Sequence, residues 1–180
     1  MPWADSKTVW DEFIAMLSPS PGMKILDLGA GEGEVASRVL QAAQGADLYA
    51  VDPDEKRVST MKRDSPEVKA FVAEAEGLSF PDSNFDSVYT TMALHHYSDF
   101  DKAIGEIARV LKSGGAFVVL EMEPRSGLGR MFRFFGKITG EHMNMLSEEQ
   151  LETRLNASGI FRVKRSVALG SRYIVLATRM

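Results

Sequence analysis

Apolar residues along this chain switch repeatedly between two spacings, and the switches mark its elements. Trp3, Trp10, Phe13, Ile14 and Leu17 fall near one helical face, which predicts an amphipathic helix over about 5–17, ended by Ser18-Pro19-Ser20-Pro21-Gly22. Ile25, Leu26 and Leu28 make a short apolar run suited to a strand buried on both faces. Three glycines follow at 29, 31 and 33, and from about Val35 the spacing is helical, with Val35, Val39, Leu40 and Ala43 as the buried stripe. The exchange then repeats. Strands are expected at 48–51, 68–72, 85–91 and 116–120, with a helix over about 54–64 and a loop at 77–82. Another helix carries Phe100, Ala103, Ile104, Ile107, Val110 and Leu111, with an N-cap signal in Ser98-Asp99-Phe100-Asp101 and a stop at Ser113-Gly114-Gly115. The stretch from Pro124 to about Leu146 breaks the rhythm. Ser147-Glu148-Glu149-Gln150 is a capping box opening a helix with Leu151 and Leu155 inside, and strands at about 160–168 and 172–179, joined at Gly170-Ser171, read as a hairpin.

Strands alternating with helices imply parallel pairing through right-handed crossovers. The expected fold is a three-layer α/β/α Rossmann-like sandwich, with a mostly parallel seven-stranded sheet and an antiparallel C-terminal hairpin. One domain of 180 residues accommodates it, with an N-terminal helix and linker (1–22), a cofactor-binding core (23–122), a variable lid or substrate segment (123–146) and a C-terminal helix and hairpin (147–180). A net charge of −4 gives no global attraction for nucleic acid, so no nucleic-acid partner is expected. The absence of cysteine removes disulfides, thiolate nucleophiles and zinc–thiolate or iron–sulfur sites. The sequence shows no signal peptide and no 18-residue apolar run, and the expectation is a cytoplasmic protein.

Strand, tight glycine turn, helix is how an α/β protein offers backbone N–H groups and a helix N-terminus to a nucleotide or nucleoside cofactor. The dinucleotide fingerprint places its third glycine five residues after the first, where this chain has Glu34. Glu32 and Glu34 would repel a pyrophosphate at the helix entry, so a ligand without phosphates and carrying positive charge fits better. Asp52, 23 residues after Gly29 at the end of the second strand, suits either the cis-hydroxyls of a ribose or the N-cap of the next helix. His95, His96 and Glu121 fall at the C-terminal ends of strands four and five, where ligands bind in open sheets, and His142 in the irregular segment can approach the same region. His96 is the preferred general base, with His95 and Glu121 as further candidates. No metal-ligand spacing is present.

Ile25-Leu26-Asp27-Leu28-Gly29-Ala30-Gly31-Glu32-Gly33 resembles motif I of the class I S-adenosylmethionine-dependent methyltransferases. Ala50-Val51-Asp52 resembles the acidic end of their second strand, and Ala73 to Asp86 resembles their adenine-contacting loop and fourth strand. Ala93-Leu94-His95-His96 and Arg109-Val110-Leu111-Lys112-Ser113-Gly114-Gly115 match two further landmarks. The branch resembled is that of the ubiquinone and menaquinone methyltransferases (type 11), over about residues 23–122. The resemblance implies S-adenosylmethionine as cofactor, with S-adenosylhomocysteine as product. Backbone around Gly29, Ala30 and Gly31 would lie along its methionine and ribose portions, and Asp27 would bind or orient the methionine amino group, directly or through water. Asp52 would take the ribose hydroxyls with Pro53 beside the adenine, Glu74 and Ala75 would read the adenine edge, and Thr91 and Met92 would face the sulfonium. The family more often has Asp where this chain has Glu74.

Methyl transfer by in-line displacement to a small, lipophilic or aromatic acceptor is the function expected. The alternatives are a nicotinamide-dependent oxidoreductase, which the residue at 34 disfavours, and a non-catalytic cofactor-binding module. Thr91-Met92-Ala93-Leu94 differs from the Asp/Asn-Pro-Pro-aromatic sequence of base amino-methylation, cytosine C5 and arsenic methylation need cysteines, and the magnesium-dependent catechol type needs an acidic cluster. Between Pro124 and Thr139 the chain carries Arg125, Arg130, Arg133 and Lys137 without an acid, interleaved with Met131, Phe132, Phe134, Phe135 and Ile138. The expectation there is a lid over the acceptor, or peripheral contact of 125–138 with a membrane surface.

Overall fold

A computed structural model describes residues 7–139 and 143–180 of the chain. Trp3 and His142, together with the side chain of Lys137, lie outside the described residues. The strands are β1 (Lys24–Leu28), β2 (Asp47–Asp52), β3 (Lys69–Val72), β4 (Phe85–Thr91), β5 (Leu111–Met122), β6 (Phe161–Leu169) and β7 (Arg172–Arg179). They form one sheet in the order β3-β2-β1-β4-β5-β7-β6, with β1 to β5 parallel and β7 antiparallel to both β5 and β6. The expected sandwich and hairpin are both present.

Alternate residues of each strand feed opposite layers. Ile25, Leu48, Ala50, Tyr89, Val118 and Leu120 pack under α1 (Lys7–Leu17), α2 (Glu34–Ala42) and α3 (Glu55–Asp64), where Phe13, Val39, Val58 and Met61 complete one core. Leu26, Leu28, Val88, Phe117 and Val119 pack on the other face against α4 (Phe100–Val110) and α6 (Glu148–Ala157), through Ile104, Ile107, Leu151 and Leu155. Because both faces are covered, the strands read as continuous apolar runs and only their ends remain for chemistry.

Three local expectations change. The α4 N-cap is Asp99, which accepts from Lys102 N–H at 3.0 Å, while Ser98 donates through N–H and hydroxyl to Glu76. β5 begins at Leu111, directly after α4, and Gly114-Gly115 lies inside a register shift opposite Phe85–Ser87. A Cβ on Gly115 would come within 2.8 Å of the Lys112 carbonyl, so the bulge requires glycine there. The irregular segment contains a helix, α5 (Gly127–Thr139). Its inner face is narrow: Gly129 and Gly136 are buried and Phe132 half-buried, and a Cβ on Gly129 would sit 2.2 Å from the Glu123 carbonyl. Met131, Phe134, Phe135 and Ile138 point outward, 47–65% exposed. The apolar side of this helix therefore faces solvent.

The turn after β1 sets the close approach on which the C-terminal edge depends. Gly29 has φ +73°, and a Cβ there would fall 2.4 Å from the Ala93 Cβ; Gly31 has φ +58° with open space around it. Gly29→Ala is expected to cost about 3 kcal/mol or more, from left-handed strain plus overpacking, and Gly31→Ala about 1–2 kcal/mol from strain alone. Urea denaturation of both variants checks this, and equal losses would contradict the contact.

Candidate active site

The glycine turn is braced by the neighbouring strand. The Gly29 and Ala30 N–H groups both donate to the Val51 carbonyl, at 2.9 and 3.0 Å. The Asp52 carboxylate, 3% exposed, accepts from Gly31 N–H at 2.9 Å and from Asp54 N–H at 3.0 Å. Asp54, accepting from Lys56 and Arg57 N–H, is the α3 N-cap. The cap role weighed for Asp52 thus belongs two residues later, and Asp52 instead ties the ends of β1 and β2 together. Each of its oxygens keeps a lone pair beyond these bonds. Pro53 beside it is exposed.

Asp27 is the second carboxylate and is fully buried. Its Oδ2 accepts from the Tyr89 hydroxyl at 2.8 Å, and Tyr89 stands edge-on to Phe13 at 5.5 Å between centroids. Its Oδ1 has no hydrogen-bond partner among the described residues. Burial pushes the Asp27 carboxyl up to about 7, the Tyr89 bond lowers it, and the nearby Asp52 charge raises it further. A carboxyl held near neutrality, with one oxygen unmet, is set to receive a donor or a cation.

The exit of β4 is strained and well tied. Met92 has φ +53° although it is not glycine, and its N–H donates to the Leu120 carbonyl at 2.8 Å. Tyr97 donates to Thr90 Oγ1, which donates to the Leu28 carbonyl, so the polar chain links the ends of β1 and β4 to the short 3-10 turn at Leu94–His96. In that turn His95 is buried. Its Nδ1 lies 2.9 Å from Glu121 Oε2, which also receives the His95 N–H, while Glu121 Oε1 accepts from Met122 N–H. The structure thus brings His95 and Glu121 together. The His96 ring, 4.2 Å from that of His95, is exposed.

On the far side of Asp52, Glu74 is exposed and Ala75 is buried. Two residues that sequence reasoning passed over hold this loop. Glu76 is buried and its Oε1 collects Ser98 N–H, Ser98 Oγ and Asp99 N–H. Arg109 donates to the Leu78 and Phe80 carbonyls, each at 2.7 Å, and pairs with Asp82 and Glu106. Its position in the Arg109–Gly115 landmark was the only sequence signal for it.

An open cleft of about 520 Å³ runs along the glycine turn, past Gly29, Ala30 and Gly31. On one side lie Arg57, Thr60 and Ser65; on the other lie Thr91, Met92, Leu120, Trp10 of α1 and Arg172 at the start of β7. Gly29, Ala30, Gly31, Thr91 and Met92 therefore line it, whereas Asp27, Asp52, Pro53, Glu74, Ala75, His95, His96 and Glu121 stand outside its wall. α5 does not line it; Arg133 of that helix, with Pro124 and Arg125 before it, instead lines a second pocket beside Leu94, Tyr97 and Asn144. Among the described residues there is no cluster of acids and histidines able to hold a metal, and no helix long and apolar enough to cross a membrane.

Comparison with known proteins agrees with this arrangement. A family profile described as a methyltransferase domain matches residues 26–119. The chain is 35% identical over 118 residues to a demethylmenaquinone methyltransferase of Thermus thermophilus, covering 62% of this chain and 54% of the relative. It is 30% identical over 168 residues to an uncharacterized methyltransferase of Synechocystis, covering 91% and 78%. The chain spans about half the length of the first curated relatives it matches. A crystal structure of an S-adenosylmethionine-dependent methyltransferase from Mesorhizobium loti superposes with a TM-score of 0.82 at 20% identity, over 97% of this chain and 99% of that one. The chain belongs to the class I S-adenosylmethionine-dependent methyltransferases, in the branch that includes the quinone methyltransferases.

Proposed function

We propose that this chain transfers a methyl group from S-adenosylmethionine to a small lipophilic or aromatic acceptor. The carrying observation is the buried Asp27 carboxylate, with one oxygen unpartnered beneath a glycine turn that opens on the cleft. The cofactor's α-ammonium supplies the donor that this oxygen lacks, and Gly29, Ala30 and Gly31 let its chain lie against the backbone. Asp52, pre-ordered by the Gly31 and Asp54 N–H groups, receives the ribose hydroxyls through its remaining lone pairs. Pro53, Glu74 and Ala75 border the adenine. The bound cofactor supplies a methyl already activated on a sulfonium, so this chain's residues mainly align the acceptor and exclude water. Thr91 and Met92 flank the transferred methyl. His95 and Glu121 act as a positioning pair for the turn after β4, and His96 is the ring exposed to take an acceptor proton. A nicotinamide oxidoreductase fits less well, because Glu32 and Glu34 also line the cleft and oppose a pyrophosphate.

A second contact is proposed for α5. Met131, Phe134 and Ile138 share one outward face, and Arg125, Arg130 and Arg133 are exposed beside it in a chain of net charge −4. An amphipathic basic helix of this kind suits the surface of an anionic membrane, from which a lipophilic acceptor can be drawn.

Three outcomes are expected. S-adenosylhomocysteine at one hundred times its Kd stabilises the protein by about 2.7 kcal/mol in a thermal melt, and NAD does not; stabilisation by NAD alone would overturn the reading. The second concerns Asp27. Its folded carboxyl titrates near 7 against about 3.8 unfolded, so the folded state holds the proton more tightly and stability falls as pH rises from about 4 to about 7. Asp27→Asn, an isostere of the protonated acid, is therefore expected to match wild type near pH 3, below both pKa values. At pH 8 it should exceed wild type by about 1 kcal/mol or more, since the full linkage is on the order of 4 kcal/mol. The same variant loses ten-fold or more in S-adenosylhomocysteine affinity by calorimetry, and wild-type affinity rises between pH 6 and 8. An affinity unaffected by both pH and substitution would remove Asp27 from the site. Third, the protein co-sediments with phosphatidylglycerol vesicles, less so in 0.5 M salt (Debye length shortened to about 4 Å) and less so as Phe134→Ser; no binding at low salt would dismiss the α5 contact.

A further inference from the structure

Arg172 is a charged cleft residue whose chemistry the cofactor does not absorb. It opens β7 and is fixed on both sides, its backbone pairing with Met122 of β5 and Leu169 of β6. The adjoining Glu123 N–H donates to the Ser171 carbonyl at 2.9 Å, which further fixes the corner. The side chain is half-buried and lines the cleft on the Thr91–Met92 side. Arg57, across the cleft, is paired with Asp54, whereas no ion pair or side-chain hydrogen bond is found for Arg172 among the described residues. Burial lowers its pKa, and no neighbouring carboxylate offsets that cost. A guanidinium stays charged under these conditions, so the geometry leaves a partly desolvated cation facing an open cleft.

The rest of that wall is apolar or aromatic, with Leu120, Met92 and Trp10 beside Thr91. Glu32, Glu34, Arg57 and Asp64 line it as well, and Glu34 is paired with Arg38, whose guanidinium stands 5.3 Å from the centre of the Trp10 ring. The cleft therefore carries both signs of charge, and its cation at the start of β7 has no counter-ion among the described residues. An acceptor bearing its negative charge away from the methyl would be held and oriented by this arginine.

We propose that Arg172 is a specificity residue that binds an oxyanion, a carboxylate or a phosphate, carried by the methyl acceptor, whose apolar body lies on Trp10 and Leu120. The proposal rests on the methyltransferase reading for the word acceptor, but its binding chemistry is testable alone. Bidentate pairing with the planar guanidinium favours the oxyanion over a neutral isostere of the same size.

The test is calorimetric titration of the full chain, with and without saturating S-adenosylhomocysteine, using 4-butylbenzoate, 4-butylphenyl phosphate and 4-butylbenzamide. The wild type is expected to bind at least one of the two anions ten-fold or more tighter than the amide, and the tighter anion identifies the headgroup. Arg172→Gln should erase the preference while leaving amide binding and S-adenosylhomocysteine affinity within two-fold. Arg172→Lys should restore part of it. Equal binding of anions and amide to wild type overturns the proposal, as does a preference that survives in Arg172→Gln. A failure of S-adenosylhomocysteine to bind instead sinks the methyltransferase reading, while the anion comparison without it still decides the role of Arg172.

Discussion

A sheet covered on both faces has no free surface of its own, so whatever chemistry it supports must sit where its strands end. In this chain that constraint converges on one turn. β1 lies inside the sheet, between β2 and β4, and its C-terminal residue gives way to Gly29, whose missing Cβ lets the backbone pass Ala93. The Val51 carbonyl and the Asp52 carboxylate then hold the Gly29, Ala30 and Gly31 N–H groups. The turn, the ends of β2 and β4, and the start of α2 are thus one mechanical unit. Move Gly29 and the cleft loses its floor.

What the sequence made legible follows from local rules. Alternating spacing identified the strands and helices, glycines at 29, 31 and 33 located the turn, and Glu34 spoke against a pyrophosphate. Those signals are legible because each depends on neighbours close in the chain. Features set by long-range packing were not. Arg109 reaches back about thirty residues to the Leu78 and Phe80 carbonyls, and Glu76 reaches forward to Ser98, so neither role has a local signature. The facing of α5 was hidden for the same reason. Its apolar residues suggested an inward cover, but Gly129 and Gly136 provide the close approach to the protein, and the phenylalanines at 134 and 135 are left outside. Arg172 escaped attention because its half-burial arises only when β7 inserts between β5 and β6.

Three uncompensated features lie at the edge where β1, β4 and β5 end. Among the described residues Asp27 carries an unmet oxygen and Arg172 is partly desolvated without a counter-ion, and Met92 is held at positive φ. Other charged groups are paired: Asp86 with Lys112 and Arg154 with Asp101. Strain of about 1–3 kcal/mol at a site like Met92 persists only where surrounding contacts over-determine it. Here those contacts are the Leu120 carbonyl on one side and the Tyr97–Thr90–Leu28 chain on the other. The two charges differ from that strain, because packing cannot relieve them and a ligand can. A cation beside Asp27 and an anion beside Arg172 would each supply the missing partner. On the proposed reading a positively charged methyl donor would meet Asp27 and a negatively charged acceptor would meet Arg172, so the two would not compete for one partner.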